Sequence, residues 1–210
     1  MEKYYYTYNH PHALHLSEVD PILKKLIEKV EVIDVPLRKD YYNSIVKQII
    51  GQQLSLKAAH TITNRVLQLW GNFDPILLEQ IDNDQLRNTG VSRPKISYIR
   101  DLTNKHINGE VDLKTIHLLK DEDVIERLTS VKGIGKWTAE MFLIFSLGRM
   151  NILSFGDVSI QNAIRWLYKL EKDQPLDLQP FYEKWSPYNT VASLYLWQAI
   201  NSGIVKNEID

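Results

Sequence analysis

The sequence predicts an all-α fold in which short helices pack as a compact array. Apolar residues recur at helical spacing, as at Ile45, Ile49 and Ile50, and strand-like alternation is confined to two weak candidates, YYYTYNH and EVIDV. Polar cap residues and glycines divide the helical runs into short pieces. The chain has 210 residues, 44% of them hydrophobic, which is enough to bury a sizeable core.

Helices in the first half of the chain are predicted from residues whose short polar side chains cap free backbone amides. These cap residues are Ser17, Asp40, Ser55, Asp74 and Asp82. The first run continues through Val30, and the third stops at Gly71, a residue suited to a helix C-terminus.

Helices in the second half follow from the same signals. Their predicted starts are at or just after Ser92, Lys120, Lys136, Asp157 and Pro187. Gly109 and Gly203 end the first and the last of these helices, and the helix from Lys136 continues to about Leu147.

Composition limits the classes of function. A net charge of −1 argues against a nucleic-acid binder that acts through bulk charge, yet it permits local phosphate contacts through helix N-termini. The absence of cysteine excludes disulfides, a cysteine nucleophile and a thiolate-bound iron–sulfur cluster. No apolar run approaches the ~18 residues of a membrane span and no signal peptide is evident, so we expect an intracellular, cytoplasmic or nucleoid-associated protein with no membrane partner. His10 and His12 could form a weak metal pair, but a plain surface tail is the favoured interpretation.

The turn in VKGIGKWTAE (131–140) has the features of an anion site. Gly133 and Gly135 permit positive φ and close approach of another backbone, and Ile134 can plug the gap between the two helices. The first amides of the second helix lie at the positive end of its dipole, and Lys132 and Lys136 flank them. The alternative is a plain corner in which glycines serve packing alone.

Three motifs, in the order in which the family carries them, resemble those of the helix-hairpin-helix DNA glycosylases. The stretch LTSVKGIGKWTA resembles the hairpin that gives these enzymes their name, and Gly156-Asp157 follows at the family's spacing. IIGQQLSLKAA resembles the segment that inserts into DNA, and EKWSPYNTVASLYLW resembles the W-x-P-[WY] segment of the alkylated-base branch. The resemblance covers roughly residues 41–202 and is greatest to the 3-methyladenine DNA glycosylase II family. The best-known members carry a further N-terminal β-rich domain, and we expect a minimal version without it.

The resemblance implies an architecture and an activity. The fold would be a two-lobed helical array with a cleft between lobes, residues 1–40 plus 140–210 forming one lobe and 41–139 the other, with the hairpin at about 122–147 and a single catalytic unit. The activity would be that of a monofunctional DNA N-glycosylase. It would act as a monomer on double-stranded DNA containing damaged bases, and would flip out and excise alkylated purines in base excision repair.

The resemblance also assigns the chemistry of the site. Asp157 would be the catalytic carboxylate that stabilises positive charge on the sugar, although an Asp before a helix is also an ordinary cap. Trp137 stands where lyase-type members carry a Schiff-base lysine, so no AP lyase activity is expected. Trp197, Trp137 and Met141 would form the base pocket, where an aromatic face favours a cationic alkylated base by about 0.5–2 kcal/mol.

DNA contacts are assigned in the same way. The hairpin residues that would contact a phosphate are Gly133, Ile134, Gly135, Lys136 and Thr138. The residues that would fill the vacated stack are Gln53, with Gln52 and Leu54 beside it, unless the glutamines merely cap the next helix. A sodium or potassium ion is expected on the backbone oxygens of Thr129, Val131 and Ile134. No other cofactor and no iron–sulfur cluster are expected.

Three other interpretations remain open at the level of sequence. One is a helix-hairpin-helix glycosylase for uracil, a deaminated purine or a mismatched adenine. Another is a non-catalytic DNA-binding module that uses the hairpin for phosphate contact only. The third is an all-α protein-interaction domain, which leaves the Gly-Ile-Gly and Gly-Asp spacing unexplained.

Overall fold

The computed structural model describes residues 2–172 and 174–205 and confirms the all-α class. This part of the chain contains eleven α-helices and one two-stranded sheet. The helices are α1 (Pro11–Val19), α2 (Pro21–Val30), α3 (Tyr41–Gly51), α4 (Leu56–Trp70), α5 (Asn83–Asn88), α6 (Arg93–Ile107), α7 (Asp121–Thr129), α8 (Lys136–Phe142), α9 (Val158–Tyr168), α10 (Gln179–Trp185) and α11 (Asn189–Asn201). The strands are β1 (Lys3–Thr7) and β2 (Val32–Pro36). Among the described residues, no helix is both long enough and apolar enough to span a membrane.

The chain divides into two compact units. The central unit is Arg38–Leu147, and the terminal unit combines residues 2–37 with the described residues from 148 onward. Residues 140–147 group with the central unit, whereas the sequence-based boundary put them with the terminal lobe. The reason is local, because α8 continues directly into a π-helical segment, Leu143–Leu147, and the chain turns only at Gly148, where φ is 76°.

The terminal unit packs α2, α9 and α11 together, with a small sheet beside them. The sheet is antiparallel and pairs Tyr4 with Val35 and Tyr6 with Ile33. Both tyrosines are buried and the intervening Tyr5 is exposed, which is the alternation expected of a strand with one buried face. The two weak strand candidates of the sequence are therefore the two strands of the structure.

The N-terminal helices differ from their prediction. The helix predicted from Ser17 begins instead at Pro21, and Ser17 lies inside α1, an additional helix that was not predicted. Pro11 in the first turn and the ring of His10, whose Nδ1 accepts from the His12 amide at 3.2 Å, start α1. The interpretation of the two histidines as a surface tail was therefore wrong. In the described part of the chain no group of three or more His, Cys, Asp or Glu side chains could hold a metal ion.

The central unit confirms several predicted caps. The side chains of Asp40, Ser55 and Asp82 each accept a hydrogen bond from a first-turn amide, of α3, α4 and α5 respectively. Ile45 and Ile49 are buried, as their spacing indicates. Between α4 and α5 the helix predicted after the Asp-Pro pair is only a short 3-10 segment, Leu77–Gln80.

Candidate functional site

The two glycines of the hairpin turn (residues 130–135) have different local environments. Gly133 has a φ of 75°, and a Cβ added there would lie 2.1 Å from a ring carbon of Tyr98. Gly135 is the N-cap of α8 with a φ of −93°, and a Cβ there would meet nothing within 4 Å. The fold itself requires glycine at position 133. At position 135 the missing side chain leaves the start of α8 open to a partner outside the protein.

One face of α6 holds the hairpin turn in place. Tyr98 packs on Gly133, the Asp101 carboxylate accepts from the backbone amide of Lys132 at 2.9 Å, and the ammonium of Lys105 donates to the carbonyl of Ser130. Residues 98, 101 and 105 have helical spacing and share a face. The sequence analysis did not identify these residues, because spacing on α6 gives no sign of what lies opposite.

The same helix holds the wedge loop (residues 52–54), which follows α3. The Lys95 ammonium donates to the carbonyl oxygens of Ile50 at 2.8 Å and of Gln52 at 2.6 Å, and burial lowers the pKa of Lys95. At the tip of the loop Gln53 has a φ of 58° and Leu54 is 37% exposed. Lys95 is a further residue of α6 that the sequence analysis did not identify.

The structure brings one predicted wedge residue into contact with the hairpin. The side-chain amide of Gln52 donates to the carbonyl oxygen of Gly133 at 2.9 Å. The wedge loop and the hairpin turn are therefore joined directly as well as through α6. The role of Gln52 in filling the base stack stays a prediction, and in this structure its side chain binds the hairpin.

The other predicted hairpin contacts have distinct positions. Ile134 is buried and plugs the turn, as expected, while the side chain of Thr138 is also buried, which leaves only its backbone for a phosphate. The exposed Lys136 lies 3.8 Å from the buried carboxylate of Glu140. The carbonyl of Val131, one of the expected cation ligands, accepts the Ile134 amide at 3.1 Å, and the cation site stays a prediction.

The three predicted base-pocket residues lie on two helices. Trp137 and Met141 are one turn apart on α8, with Trp137 49% exposed and Met141 buried. Trp197 lies on α11 in the terminal unit and is partly exposed. Their joint role in base recognition stays a prediction.

Asp157 is the N-cap of α9, as the sequence predicts. One carboxylate oxygen accepts from the Ile160 amide at 2.9 Å, and the Asp157 amide donates to the carbonyl of Ser154 at 3.1 Å. The side chain is only 6% exposed, so the carboxylate is held in a defined orientation. A Cβ at the preceding Gly156 would meet open space, so packing does not explain that glycine either.

Known proteins resemble this chain over most of its length. Residues 46–187 match the family described as HhH-GPD superfamily base excision DNA repair protein. DNA-3-methyladenine glycosylase 1 of Schizosaccharomyces pombe is 34% identical over 88% of this chain and 85% of its own length. The chain spans 61% of another relative, YfjP of Bacillus subtilis, at 35% identity.

Two solved structures share the fold. A DNA-3-methyladenine glycosidase from Bacillus halodurans has a TM-score of 0.87 and 38% identity, over 98% of this chain and 95% of that one. The 3-methyladenine DNA glycosylase of S. pombe, solved with abasic DNA, has a TM-score of 0.77 and 33% identity, over 90% and 96% of the two chains. The residues that match the family, 46–187, include the hairpin, the wedge loop and Asp157. The chain belongs to the HhH-GPD superfamily of base excision DNA repair proteins.

Proposed function

We propose that this protein is a monofunctional DNA N-glycosylase that excises alkylated purines of the 3-methyladenine type from double-stranded DNA in base excision repair. The observation that carries the proposal is the state of Asp157, a nearly buried carboxylate oriented by its own helix in a member of a base excision repair family. The relatives named 3-methyladenine DNA glycosylases support the choice of substrate.

The proposed chemistry needs a fixed negative charge. When an N-glycosidic bond breaks, the base leaves with the bonding electrons and positive charge develops on the sugar. The Asp157 carboxylate would stabilise that charge and orient or deprotonate the water that attacks the sugar. The hydrogen bond from Ile160 would fix the carboxylate before the reaction, so that little reorganisation is needed.

The hairpin would hold the DNA backbone during this step. A phosphate oxygen would bind the first amides of α8, because Gly135 adds no side chain and the helix dipole favours an anion there. Lys132 and Lys136 are both exposed beside this point and would add positive charge.

The wedge loop would stabilise the flipped state. We assign Gln53 and Leu54, at the exposed tip, to the gap that the extruded nucleotide leaves, because extrusion costs a few kcal/mol. Gln52 belongs to the same prediction, and its bond to Gly133 would transmit the position of the hairpin to the loop.

Base recognition would rest on aromatic contact. Trp197 and the exposed Trp137 would stack on the cationic purine, with a preference over neutral bases of about 0.5–2 kcal/mol. Met141 would complete the pocket with a polarisable but weaker surface. An alkylated purine is already a good leaving group, so this modest preference suffices.

Several finer properties belong to the same proposal. The enzyme would be of the 3-methyladenine glycosylase II type and would lack AP lyase activity, because the indole of Trp137 cannot attack a sugar carbon. It would act as a monomer on the nucleoid. It would need no cofactor, apart from a sodium or potassium ion at the carbonyls of Thr129, Val131 and Ile134.

The test is base release from methylated duplex DNA by the wild type and by Asp157→Asn, with strand nicking at abasic sites scored in the same tubes. We expect release of methylpurine by the wild type alone and no nicking by either protein. Release from uracil- or hypoxanthine-containing duplex, without release from methylated duplex, would replace the proposed substrate class. Binding to abasic DNA without release of any base would favour a binding module.

A further inference from the structure

A concave surface of the central unit carries three arginines that the proposed catalytic cycle does not use. A cavity of about 520 Å³ lies between α5 and α6 and reaches Lys132 in the hairpin turn. Six residues of α6 line it, and four of them, at positions 93, 97, 100 and 104, share one helical face. Asp101, which binds the hairpin turn, also lines the cavity, so the cavity borders the face of α6 that holds the hairpin turn.

The cavity has an excess of positive charge. Four cationic side chains line it, against the two carboxylates of Asp84 and Asp101; the four are Arg87, Arg93, Arg100 and Lys132. The whole chain, by contrast, has a net charge of −1. The cavity, called here the arginine cavity after these residues, is thus a local exception to the charge of the molecule.

Arg100 is fixed in the wall by neutral acceptors. Its Nε donates to the side-chain oxygen of Asn83 at 2.6 Å, and its Nη2 donates to the carbonyl of Ile81 at 2.5 Å. Neither acceptor is a carboxylate, so the guanidinium is oriented while its charge remains uncompensated by these bonds. A fixed guanidinium loses less side-chain entropy when it binds an anion.

The remaining cations are available to a ligand. Arg87 and Arg93 are exposed, and neither guanidinium makes a hydrogen bond or ion pair with the residues that the structure describes. Lys132 is also exposed, and its ammonium lies 4.0 Å from the Asp101 carboxylate. At this distance, and with the ammonium exposed, the pair is weak, so the ammonium can turn to another anion.

We propose that the arginine cavity binds backbone phosphates of duplex DNA and extends the DNA contact beyond the phosphate at the hairpin turn. Continuity argues for this partner, because Lys132 belongs both to the hairpin and to the cavity wall. Guanidinium groups match phosphate geometry, and a strand that follows the hairpin presents one phosphate after another. The proposal rests on the proposed function in that both require DNA at the hairpin.

The experiment measures the binding of undamaged duplex by the full chain at several salt concentrations. The variant is Arg87→Ala combined with Arg93→Ala. The control is Lys3→Ala combined with Lys24→Ala, which removes two exposed positive charges from the terminal unit. Because each lost phosphate contact lowers the slope of log K against log salt by about 0.9, we expect the arginine variant to lose about 1–2 units of slope and about tenfold in affinity.

The outcomes separate this proposal from the proposed function. An arginine variant that matches the control in slope and affinity overturns the cavity proposal, even if the wild type excises methylpurines normally. Loss of slope and affinity in the arginine variant alone supports it, even if the wild type excises nothing. Inorganic phosphate at millimolar concentration can be added as a competitor of the bound duplex. If it displaces the duplex as strongly as unlabelled duplex does, the assignment of the cavity to a DNA backbone is overturned.

Discussion

Two aspartates of the terminal unit, Asp20 and Asp157, occupy the same kind of position but have different surroundings. Each is the N-cap of a helix, each accepts a hydrogen bond from a first-turn amide, and each side chain is almost buried. Asp20 also accepts hydrogen bonds from side chains of two other helices. For Asp157, the sequence resemblance assigns a catalytic role. The cap position alone therefore does not distinguish a structural carboxylate from a functional one.

The surroundings of Asp20 show what a structural carboxylate looks like. The hydroxyl of Tyr168 and the indole N–H of Trp185, the latter at 2.9 Å, both donate to one Asp20 oxygen. Burial acts to raise the pKa of Asp20, but these two bonds, the amide of Leu23 and the charge of Lys184 outweigh it, and the pKa is held below its ordinary value. The carboxylate connects α2 to α9 and α10, so its role is to stabilise the packing of these helices.

The largest expected effect is on excision, and it separates substitution of Asp157 from substitution of Asp20. Asp157→Asn retains a good capping side chain but loses the negative charge, so we expect excision to fall about 10³-fold while the free energy of unfolding changes by less than about 0.5 kcal/mol. Asp157→Ala adds a stability loss of about 1 kcal/mol. Single-turnover release of methylpurine and urea unfolding measure the two effects. Wild-type excision by Asp157→Asn would make the residue a cap only.

The second contrast is in stability. In Asp20→Asn the amide cannot replace a carboxylate that accepts from Tyr168 and Trp185, so we expect a loss of about 3 kcal/mol in the free energy of unfolding. Excision by the folded variant should match the wild type at 25 °C. Equal stability of Asp20→Asn and Asp157→Asn would remove the distinction between the two caps.

The low pKa of Asp20 also gives this contrast a pH dependence. A depressed pKa contributes stability above the unfolded value of about 3.9, and that contribution is lost as the pH falls through the folded value. Between about pH 5 and pH 3 the wild type should therefore lose more stability than Asp20→Asn, as measured by urea midpoints. Parallel loss in both proteins would show that other groups dominate acid unfolding.

The N-cap of a third helix, α8, is a glycine instead of an aspartate. Substitution in this turn is expected to change binding and stability less than the aspartate substitutions change excision and stability. Gly135→Ala should cost at most about 1 kcal/mol of stability, because alanine is a poorer N-cap than glycine. It should weaken duplex binding about tenfold, because the new methyl group would meet only the incoming phosphate. Gly133→Ala should cost about 2–3 kcal/mol of stability, from positive φ and contact with Tyr98. Fluorescence anisotropy and thermal unfolding compare the pair. Unchanged binding by Gly135→Ala would contradict the phosphate assignment.

The smallest effect is expected for the bond between the wedge loop and the hairpin. Gln52→Ala removes one hydrogen bond to Gly133, worth about 1 kcal/mol, and should weaken binding to an abasic duplex about fivefold. Gln53→Ala is the matched comparison, because it alters the exposed tip without breaking this bond. If only the Gln53 variant weakens binding, the bond to the hairpin has no part in holding the DNA.

The local signals of the sequence predicted local structure well. Capping side chains at Asp40, Ser55 and Asp157 and the glycine at 71 all act where their chemistry predicts. The start of α1 was missed because its cap is the ring of His10, an uncommon capping group.

Contacts between distant segments could not be predicted in the same way. Lys95 binds the carbonyl of Ile50, and Asp101 binds the amide of Lys132, across separations of 45 and 31 residues. In each contact the partner is a backbone group, which almost every residue type carries, so the partner cannot be recognised from the sequence. Motif resemblance therefore assigned the residues expected to touch DNA, but it gave no account of the helix that holds them.

The stripe of Lys95, Tyr98, Asp101 and Lys105 on α6 has a consequence for how the protein searches DNA. One helix holds both loops, so the hairpin turn and the wedge loop are fixed relative to each other, and on the proposed function they would meet the DNA backbone and the base stack together. We expect each transient landing on undamaged DNA to test the local base pairs at once, without a separate closing step. Speed of travel and thoroughness of inspection would then be set together, by how long the hairpin stays on each phosphate.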